Sequence, residues 1–215
     1  MPRKAPLSTV LTAAEQAALS PEEILQSLKE GNQRFVNNDI TARDHTAQVR
    51  MAAAGQFPKA MVLSCVDSRV PVEDVFDKGI GDIFVGRVAG NFVNEDLLGS
   101  MEFACRVAGA KLILVLGHEY CGAIKAAIDN VKLGNISAML AKLRPSVTAG
   151  GKSFRGPKNS KNPAFVDHVA KLNVMRNVKL ITRRSPTLRD MVKAGDLKIV
   201  GGYYDLDTAV VEFFD

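Results

Sequence analysis

The stretch LSCVDSRV begins as a buried strand and ends in side chains that can do chemistry. Cys65, Asp67 and Arg69 alternate there, and alternate residues of an extended segment face the same side. The pattern predicts a thiol, a carboxylate and a guanidinium at the carboxyl end of a strand, where open α/β sheets place their active sites. Taken alone, the same pattern fits a buried thiol beside a surface ion pair equally well.

A second strand ends in a comparable way, in the stretch LILVLGHEYCGA. His118 and Cys121 are three residues apart at a predicted helix start, so they face one direction, and the helix N-terminus favours the thiolate form of Cys121. If this strand and the strand before Cys65 are neighbours in a parallel sheet, their carboxyl ends lie side by side. His118 and Cys121 then lie close to Cys65. Two thiolates and one imidazole are good zinc ligands, and three protein ligands leave a fourth position open, which is typical of a catalytic zinc site.

Apolar strands that alternate with helices must position these residues. The predicted strands are AMVLS, DIFVGRV, KLILVLG, KIVGGYYD and AVVEFF, and PAFVDHVAKLNVMRNVKLIT is a predicted long helix. This alternation predicts an α/β fold with a mainly parallel central sheet flanked by helices. We predict a single domain over residues 1–215, with an N-terminal helical arm at 1–55 and an α/β core at 56–215. The Gly/Pro/Lys-rich segment 150–163 is a predicted surface loop.

Composition restricts the class of protein. The chain is 47% hydrophobic and 24% charged, and it has no long apolar run, so no membrane span is expected. The start lacks the apolar segment of a signal peptide, so a cytoplasmic location is expected, with a periplasmic one open if an upstream signal was removed.

Three cysteines cannot all pair within one chain, which favours reduced thiols for metal binding or catalysis. Cys105, on an apolar helix face, is expected in the core.

The net charge of +5 is unevenly distributed along the chain. Residues 142–198 contain 14 basic and 3 acidic side chains, which raises nucleic acid binding as one interpretation. The basic residues are scattered through a helical pattern without interleaved aromatics, so a solvated or interface face is favoured and no nucleic acid partner is expected.

The two motifs together, CVDSR and then GHEYCG, resemble the zinc motifs of the β-class carbonic anhydrases. GNQRFV, GDIFVGRVAGN and IVGGYYD are similar to the family's N-terminal helix, second strand and late strand, so the similarity covers most of the chain. The resemblance implies a lyase that reversibly hydrates CO₂ to bicarbonate and a proton, with one Zn²⁺ per subunit bound by Cys65, His118 and Cys121. It also implies a homodimer, or a tetramer of two dimers, with N-terminal helices that wrap the partner.

The resemblance assigns Asp67 and Arg69 to a catalytic dyad beside the metal. Asp67 would orient the zinc-bound hydroxide that attacks CO₂, and Arg69 would keep Asp67 ionised. In some family members the aspartate itself takes the fourth zinc position in a resting state. The sequence leaves this question open for Asp67.

Other positions match the family's substrate pocket. They are Gln56, Phe84, Ala89, Gly90 and Phe103. Phe103 stands where many members have tyrosine, so a hydrogen bond of the family is in doubt there while an apolar wall remains. Family pockets lie near the subunit interface, and we therefore hypothesise that Gln56 serves the zinc of the partner subunit. Two roles are open for Arg87, which follows the second strand: a structural one, which is favoured, and a place near the pocket.

Three other interpretations of the metal motifs stay open. A non-catalytic zinc protein would use Asp67 as a fourth ligand. A thiol redox protein would use Cys65 and Cys121, although the chain has no Cys-x-x-Cys pair. A hydrolase of CS₂-like molecules could share the same scaffold, although no residue points to it specifically. Metal content separates the redox protein from the zinc proteins, and CO₂ turnover separates the enzyme from a non-catalytic zinc protein.

Overall fold

Five strands form one sheet in the computed structural model, which describes residues 6–214. The strands are β1 (Ala60–Ser64), β2 (Ile83–Arg87), β3 (Leu112–His118), β4 (Lys198–Tyr204) and β5 (Val211–Phe214). Their order across the sheet is β2-β1-β3-β4-β5. β1 pairs in parallel with β2 and β3, β3 pairs in parallel with β4, and β5 pairs antiparallel with β4. The predicted α/β fold with a mainly parallel sheet is therefore confirmed.

Ten α-helices connect and cover the strands within the described residues. They are α1 (Ala13–Ala18), α2 (Pro21–Val36), α3 (His45–Ala52), α4 (Val72–Val75), α5 (Glu95–Glu102), α6 (Gly122–Ile128), α7 (Gly134–Ala141), α8 (Arg144–Ser153), α9 (Pro163–Arg184) and α10 (Pro186–Ala194). A π-helical turn, Phe103–Val107, follows α5 directly. None of the helices within residues 6–214 is both long and apolar enough to cross a membrane.

The three helices α1 to α3 precede β1, in the part of the chain where the sequence predicts an N-terminal helical arm. Residues 1–5 of that arm, and Asp215 at the end of the predicted core, lie outside the described residues. The boundary at residue 55 and the single-domain organisation stay predictions.

Both faces of the sheet are covered by helices, as a mainly parallel sheet requires. Successive residues of a strand point to opposite faces, so Val62 and Leu63 of β1 enter different clusters of apolar side chains. Val62 lies in the cluster that contains Leu25 and Leu28 of α2. Leu63 lies in the cluster that contains Val174 of α9. Because all residues of β1 and β3 are buried, the two strands that end at the predicted metal ligands form the interior of the sheet.

The loop predicted at residues 150–163 is shorter in the structure. α8 continues to Ser153, so the irregular segment runs over residues 154–162. A Cβ at Gly150 would lie 2.7 Å from Val169 Cγ2 of α9, so the glycine lets the two helices approach closely. The local sequence does not predict this contact between helices. Glycine by itself is unfavourable in a helix and therefore indicates that the helix ends there.

The sheet topology brings the ends of β1 and β3 together. The chain leaves β1 for β2 on one side, and β3 then pairs with the opposite side of β1. At such a reversal of strand order the loops after the two strands diverge and leave a crevice at the carboxyl ends. The residues that follow β1 and end β3 therefore share one crevice.

Candidate metal centre

A buried cluster of Cys65, His118 and Cys121 lies at the carboxyl edge of the sheet. Cys65 follows β1 directly, His118 is the last residue of β3, and Cys121 is the N-cap residue of α6. Their ligand atoms all lie within 4.8 Å of one another, and all three residues are buried. The structure thus brings together the three predicted metal ligands.

The imidazole of His118 is held in the tautomer that a metal ligand needs. Its Nδ1 lies 2.8 Å from the main-chain oxygen of Glu119, and because a carbonyl oxygen only accepts, Nδ1 carries the proton. Nε2 then carries a lone pair, and this buried atom has no hydrogen-bond partner. A buried polar atom without a partner is unfavourable unless another group binds it. Together with two nearby thiols, this lone pair fits a Zn²⁺ ion, whose usual ligands are imidazole nitrogen and thiolate.

The two thiols of the cluster do not ionise alike. A hydrogen bond with Cys121 lowers the pKa of Cys65, and the N–H of Gly90, which donates to Cys65 Sγ over 3.3 Å, lowers it further. The contact with Cys65 and burial together raise the pKa of Cys121 and outweigh the N–H groups of Ala123 and Ile124. These directions run against the preference for a Cys121 thiolate that the helix start predicts.

Arg69 pairs with Asp67 beside the cluster. Arg69 donates from Nε to Asp67 Oδ1 over 2.9 Å and from Nη2 to Oδ2 over 2.8 Å, and its main-chain N–H also donates to Oδ1. Mainly through the hydrogen bonds of this guanidinium, the pKa of Asp67 is lowered to about 2. Asp67 Oδ2 lies 3.9 Å from Nε2 of His118. A charged carboxylate thus faces the lone pair of a candidate metal ligand.

Arg87 contacts the same segment from the neighbouring strand. It donates from Nε to the main-chain oxygen of Cys65 over 2.9 Å and from Nη2 to that of Asp67 over 2.6 Å. Of the two roles considered from the sequence, structural or near the pocket, the structural one was favoured, and the contact itself was not predicted. The signal that finds it is strand register, because Arg87 pairs with Ser64, the last residue of β1.

The loop after β2 lies against the cluster. Gly90 is buried and bonds Cys65, as described above, and Ala89 precedes it and is half-buried. Asn173 of α9, a residue that sequence reasoning did not single out, donates to the main-chain oxygen of Gly90 over 2.8 Å. Asn173 lies 83 residues from Gly90 in the chain, so no local pattern indicates the contact.

Phe84 and Phe103 lie together, but away from the ligand cluster. Their ring centroids are 6.3 Å apart, with an angle of 61° between the rings. Both line an open groove of about 490 Å³ beside β2, and the lining includes Met61 and Gly86 but none of the three candidate ligands. Phe103 is 52% exposed in the single chain. The two rings therefore form an aromatic pair next to the edge strand, and their part in a substrate pocket stays a prediction.

Gln56 lies at the opposite end of β1 from the cluster. It is exposed and precedes the amino end of the strand, whereas Cys65 follows its carboxyl end. At about 3.3 Å per residue, the five residues of β1 alone separate the two ends by roughly 16 Å. The fold of one chain thus does not bring Gln56 to its own cluster.

Comparison with known proteins identifies relatives along most of the chain. Residues 60–211 match the sequence family described as carbonic anhydrase. Carbonic anhydrase 2 of Mycobacterium tuberculosis is 36% identical over 197 residues, which are 87% of this chain and 90% of that protein.

Solved structures show the same fold. A β-carbonic anhydrase of Aspergillus fumigatus superposes with a TM-score of 0.69 at 27% identity, over 90% of both chains. A structure from Sordaria macrospora, described among two tetrameric β-carbonic anhydrases, superposes with a TM-score of 0.70 at 21% identity, over 89% of this chain and 95% of that one.

Proposed function

The chain belongs to the β-class carbonic anhydrases, and from this premise we propose that it hydrates CO₂ reversibly to bicarbonate and a proton, using one zinc ion per subunit. The observation that carries the proposal is the convergence of Cys65, His118 and Cys121, with an unpartnered lone pair on His118 Nε2. A site with three protein ligands leaves one position for a reactant. When bound there, zinc would act as a Lewis acid that activates water near neutral pH.

We assign to Asp67 the role of orienting the attacking water. Its carboxylate stays ionised at neutral pH and can accept a hydrogen bond from a hydroxyl group in the crevice. Arg69 holds the carboxylate through both oxygens, so the remaining acceptor directions of Asp67 are fixed. To become a fourth metal ligand, Asp67 would have to give up part of this fork. The geometry therefore favours the open site over a site that Asp67 closes.

Arg87 supports this arrangement as a positioning residue. Its two hydrogen bonds fix the main-chain oxygens of Cys65 and Asp67. A metal ligand and the orienting carboxylate are thus held from one guanidinium, which limits how far they can move relative to each other.

The substrate pocket is proposed to be completed in a homodimer. Ile83 to Gly86 of the edge strand β2 are only half-buried, and Phe103 beside them is largely exposed, which supports an interface on this side. In that assembly Phe84 and Phe103 would form an apolar wall, and Gln56 would reach the site of the partner subunit. The tetrameric relatives from Sordaria macrospora support further pairing of dimers.

The test combines zinc content with stopped-flow CO₂ hydration over a range of pH. We expect about one zinc per chain and a hydration rate that rises as pH increases through the region near 7, because a zinc-activated water loses its proton there. Cys121→Ser removes one of the three proposed zinc ligands, so this variant should lose zinc and hydration activity together. Stoichiometric zinc without hydration at any pH would contradict the proposed activity and favour a non-catalytic zinc protein.

A further inference from the structure

The loop after β2 makes a direct contact with a proposed zinc ligand. Gly90 N–H donates to Cys65 Sγ over 3.3 Å in buried surroundings. Gly90 has a φ of +85°, and a Cβ at this position would lie 2.7 Å from Leu143 Cδ1. The backbone can therefore approach the thiol in this way only because residue 90 carries no side chain.

Two asparagines of α9 bond the main chain of this loop. Asn173 Nδ2 donates to the main-chain oxygen of Gly90, and Val93 N–H donates to Asn177 Oδ1, each over 2.8 Å. Asn177 Nδ2 donates to the main-chain oxygen of Asn173 over 2.8 Å and to Asn173 Oδ1 over 3.1 Å. Ser146 Oγ also donates to Asn173 Oδ1. The two side-chain amides thus form one hydrogen-bond network. This network bonds the main chain of the loop at Gly90 and at Val93.

Packing alone does not explain why two asparagines, Asn173 and Asn177, are buried here. Asn173 and Asn177 are 1% and 2% exposed, and burying an amide is unfavourable unless its polar atoms are hydrogen-bonded. All four side-chain polar atoms of the pair have partners. Apolar side chains could fill the same space without this requirement. What the amides add is a fixed position for the loop, because a fully satisfied buried network is rigid.

We propose that Asn173 and Asn177 are positioning residues of the metal centre, which hold the Gly90 N–H against the Cys65 thiolate and so set how strongly Cys65 binds the metal. A thiolate that accepts an N–H bond donates less electron density to a metal, and groups behind the ligands commonly alter affinity and activity. The inference rests on the proposed function in one respect, which is that Cys65 is a metal ligand.

Co²⁺ is the probe that tests this inference. Thiolate ligands give bound Co²⁺ a charge-transfer absorption, and its energy falls as the thiolate becomes more electron-rich. Asn173→Leu removes the hydrogen bond to Gly90 and keeps a branched side chain with the same number of heavy atoms. In this variant we expect the absorption at longer wavelength, because Cys65 becomes more electron-rich without the N–H bond. We also expect Co²⁺ binding to be weaker by about 10- to 100-fold in competition with a chelator, because the freed loop no longer holds the thiolate in the geometry that binds the metal, and this loss outweighs the stronger donation.

Asn32→Leu is the matched control. Asn32 is also a buried asparagine with three hydrogen bonds, to the main chain of Val75, Ala209 and Val211. It belongs to α2 and bonds the main chain at the start of β5, so its loss should lower stability without changing the Co²⁺ absorption or affinity. A shift in Asn173→Leu that Asn32→Leu does not share would show an effect on the metal centre rather than on folding.

An absorption and affinity in Asn173→Leu that match the unaltered protein, or equal changes in Asn32→Leu, would overturn the inference. If Asn173→Leu does not fold, Asn177→Leu is judged by the same two measurements. Hydrogen exchange of the Gly90 amide in the unaltered, metal-loaded protein needs no variant: slow exchange supports the inference, and exchange as fast as in an open loop refutes it. Unaltered protein that binds neither Zn²⁺ nor Co²⁺ would instead contradict the proposed function.

Discussion

The guanidinium of Arg69 bonds both carboxylate oxygens of Asp67, over 2.9 Å to Oδ1 and 2.8 Å to Oδ2. The fork keeps the pKa of Asp67 near 2, so the carboxylate is charged throughout the neutral range. Asp67 is also 3.9 Å from the free nitrogen of His118. The pair therefore places a fixed negative charge beside the three candidate metal ligands.

Asp67→Asn tests the importance of this charge, because it keeps the shape of the side chain. We expect the kcat/KM of CO₂ hydration to fall by roughly 10²- to 10⁴-fold, the range for loss of a group that acts on a proton in the reaction. Zinc content should stay at the level of the unaltered protein. Asp44→Asn is a matched control, because Asp44 caps α3 and asparagine caps equally well. A zinc-loaded Asp67→Asn enzyme with nearly full activity would refute the assigned role.

Arg87→Gln tests positioning through the main chain. The variant lacks the guanidinium that donates to the main-chain oxygens of Cys65 and Asp67. We therefore expect kcat to fall about tenfold with little change in KM. Arg87→Lys, which keeps the charge but not the planar fork, should give an intermediate kcat. Arg155→Gln, in the exposed loop after α8, controls for loss of a positive charge. An unchanged kcat together with a lower melting temperature would mean that Arg87 acts on stability alone.

Mixed dimers test whether Gln56 serves the partner subunit. A dimer of one Gln56→Ala and one Cys65→Ser subunit would have a single intact zinc site, which receives Gln56 from the Cys65→Ser subunit. We expect such dimers to keep about half of the hydration activity of the unaltered dimer, whereas each parent variant is strongly impaired. Activity no higher than the mean of the two parents would show that Gln56 does not cross the interface.

Asp77 gives a prediction about pH and stability. Burial alone would raise the pKa of Asp77, but hydrogen bonds from Arg34, Arg43 and Thr41 outweigh burial and lower it to about 2. Because this value is below the ordinary pKa of about 3.9, the stabilisation is complete above that pH and is lost as the pH falls toward 2. It amounts to roughly 2–3 kcal/mol.

Urea unfolding of metal-free protein measures this contribution, since acid also releases a thiolate-bound metal. Asp77→Asn should have a lower free energy of unfolding than the unaltered protein at about pH 6, and the difference should shrink as the pH approaches 2. A difference of constant size across this range would contradict the assigned pKa.

The convergence of the three candidate metal ligands was predictable because each signal is local. Cys65 ends one apolar run, and His118 and Cys121 end another, so the prediction needed only the rule that parallel strands end at one edge. Ligand types and spacing then indicated zinc. The α/β alternation was predictable for the same reason, since each apolar run is a few residues long.

Contacts that depend on register or on distant packing were not predictable. Arg87 reaches Cys65 because β2 pairs with β1 in a register that puts Arg87 beside Ser64, and no composition rule gives that register. Asn173 reaches Gly90 across 83 residues. The continuation of α8 through Gly150 likewise depends on contact with α9. In each case the deciding partner lies elsewhere in the chain.

The distribution of the three ligands along the chain has a consequence for folding kinetics. His118 and Cys121 are three residues apart, whereas Cys65 lies 53 residues before His118. Closing that loop before β1 and β3 pair carries an entropic penalty, so the unfolded chain can offer two ligands easily but three only rarely. In the proposed metal site, complete coordination would therefore mark the moment at which β1 and β3 join. Refolding in the presence of Co²⁺, followed through the absorption of its two thiolate ligands, would time the pairing of two strands at the centre of the sheet.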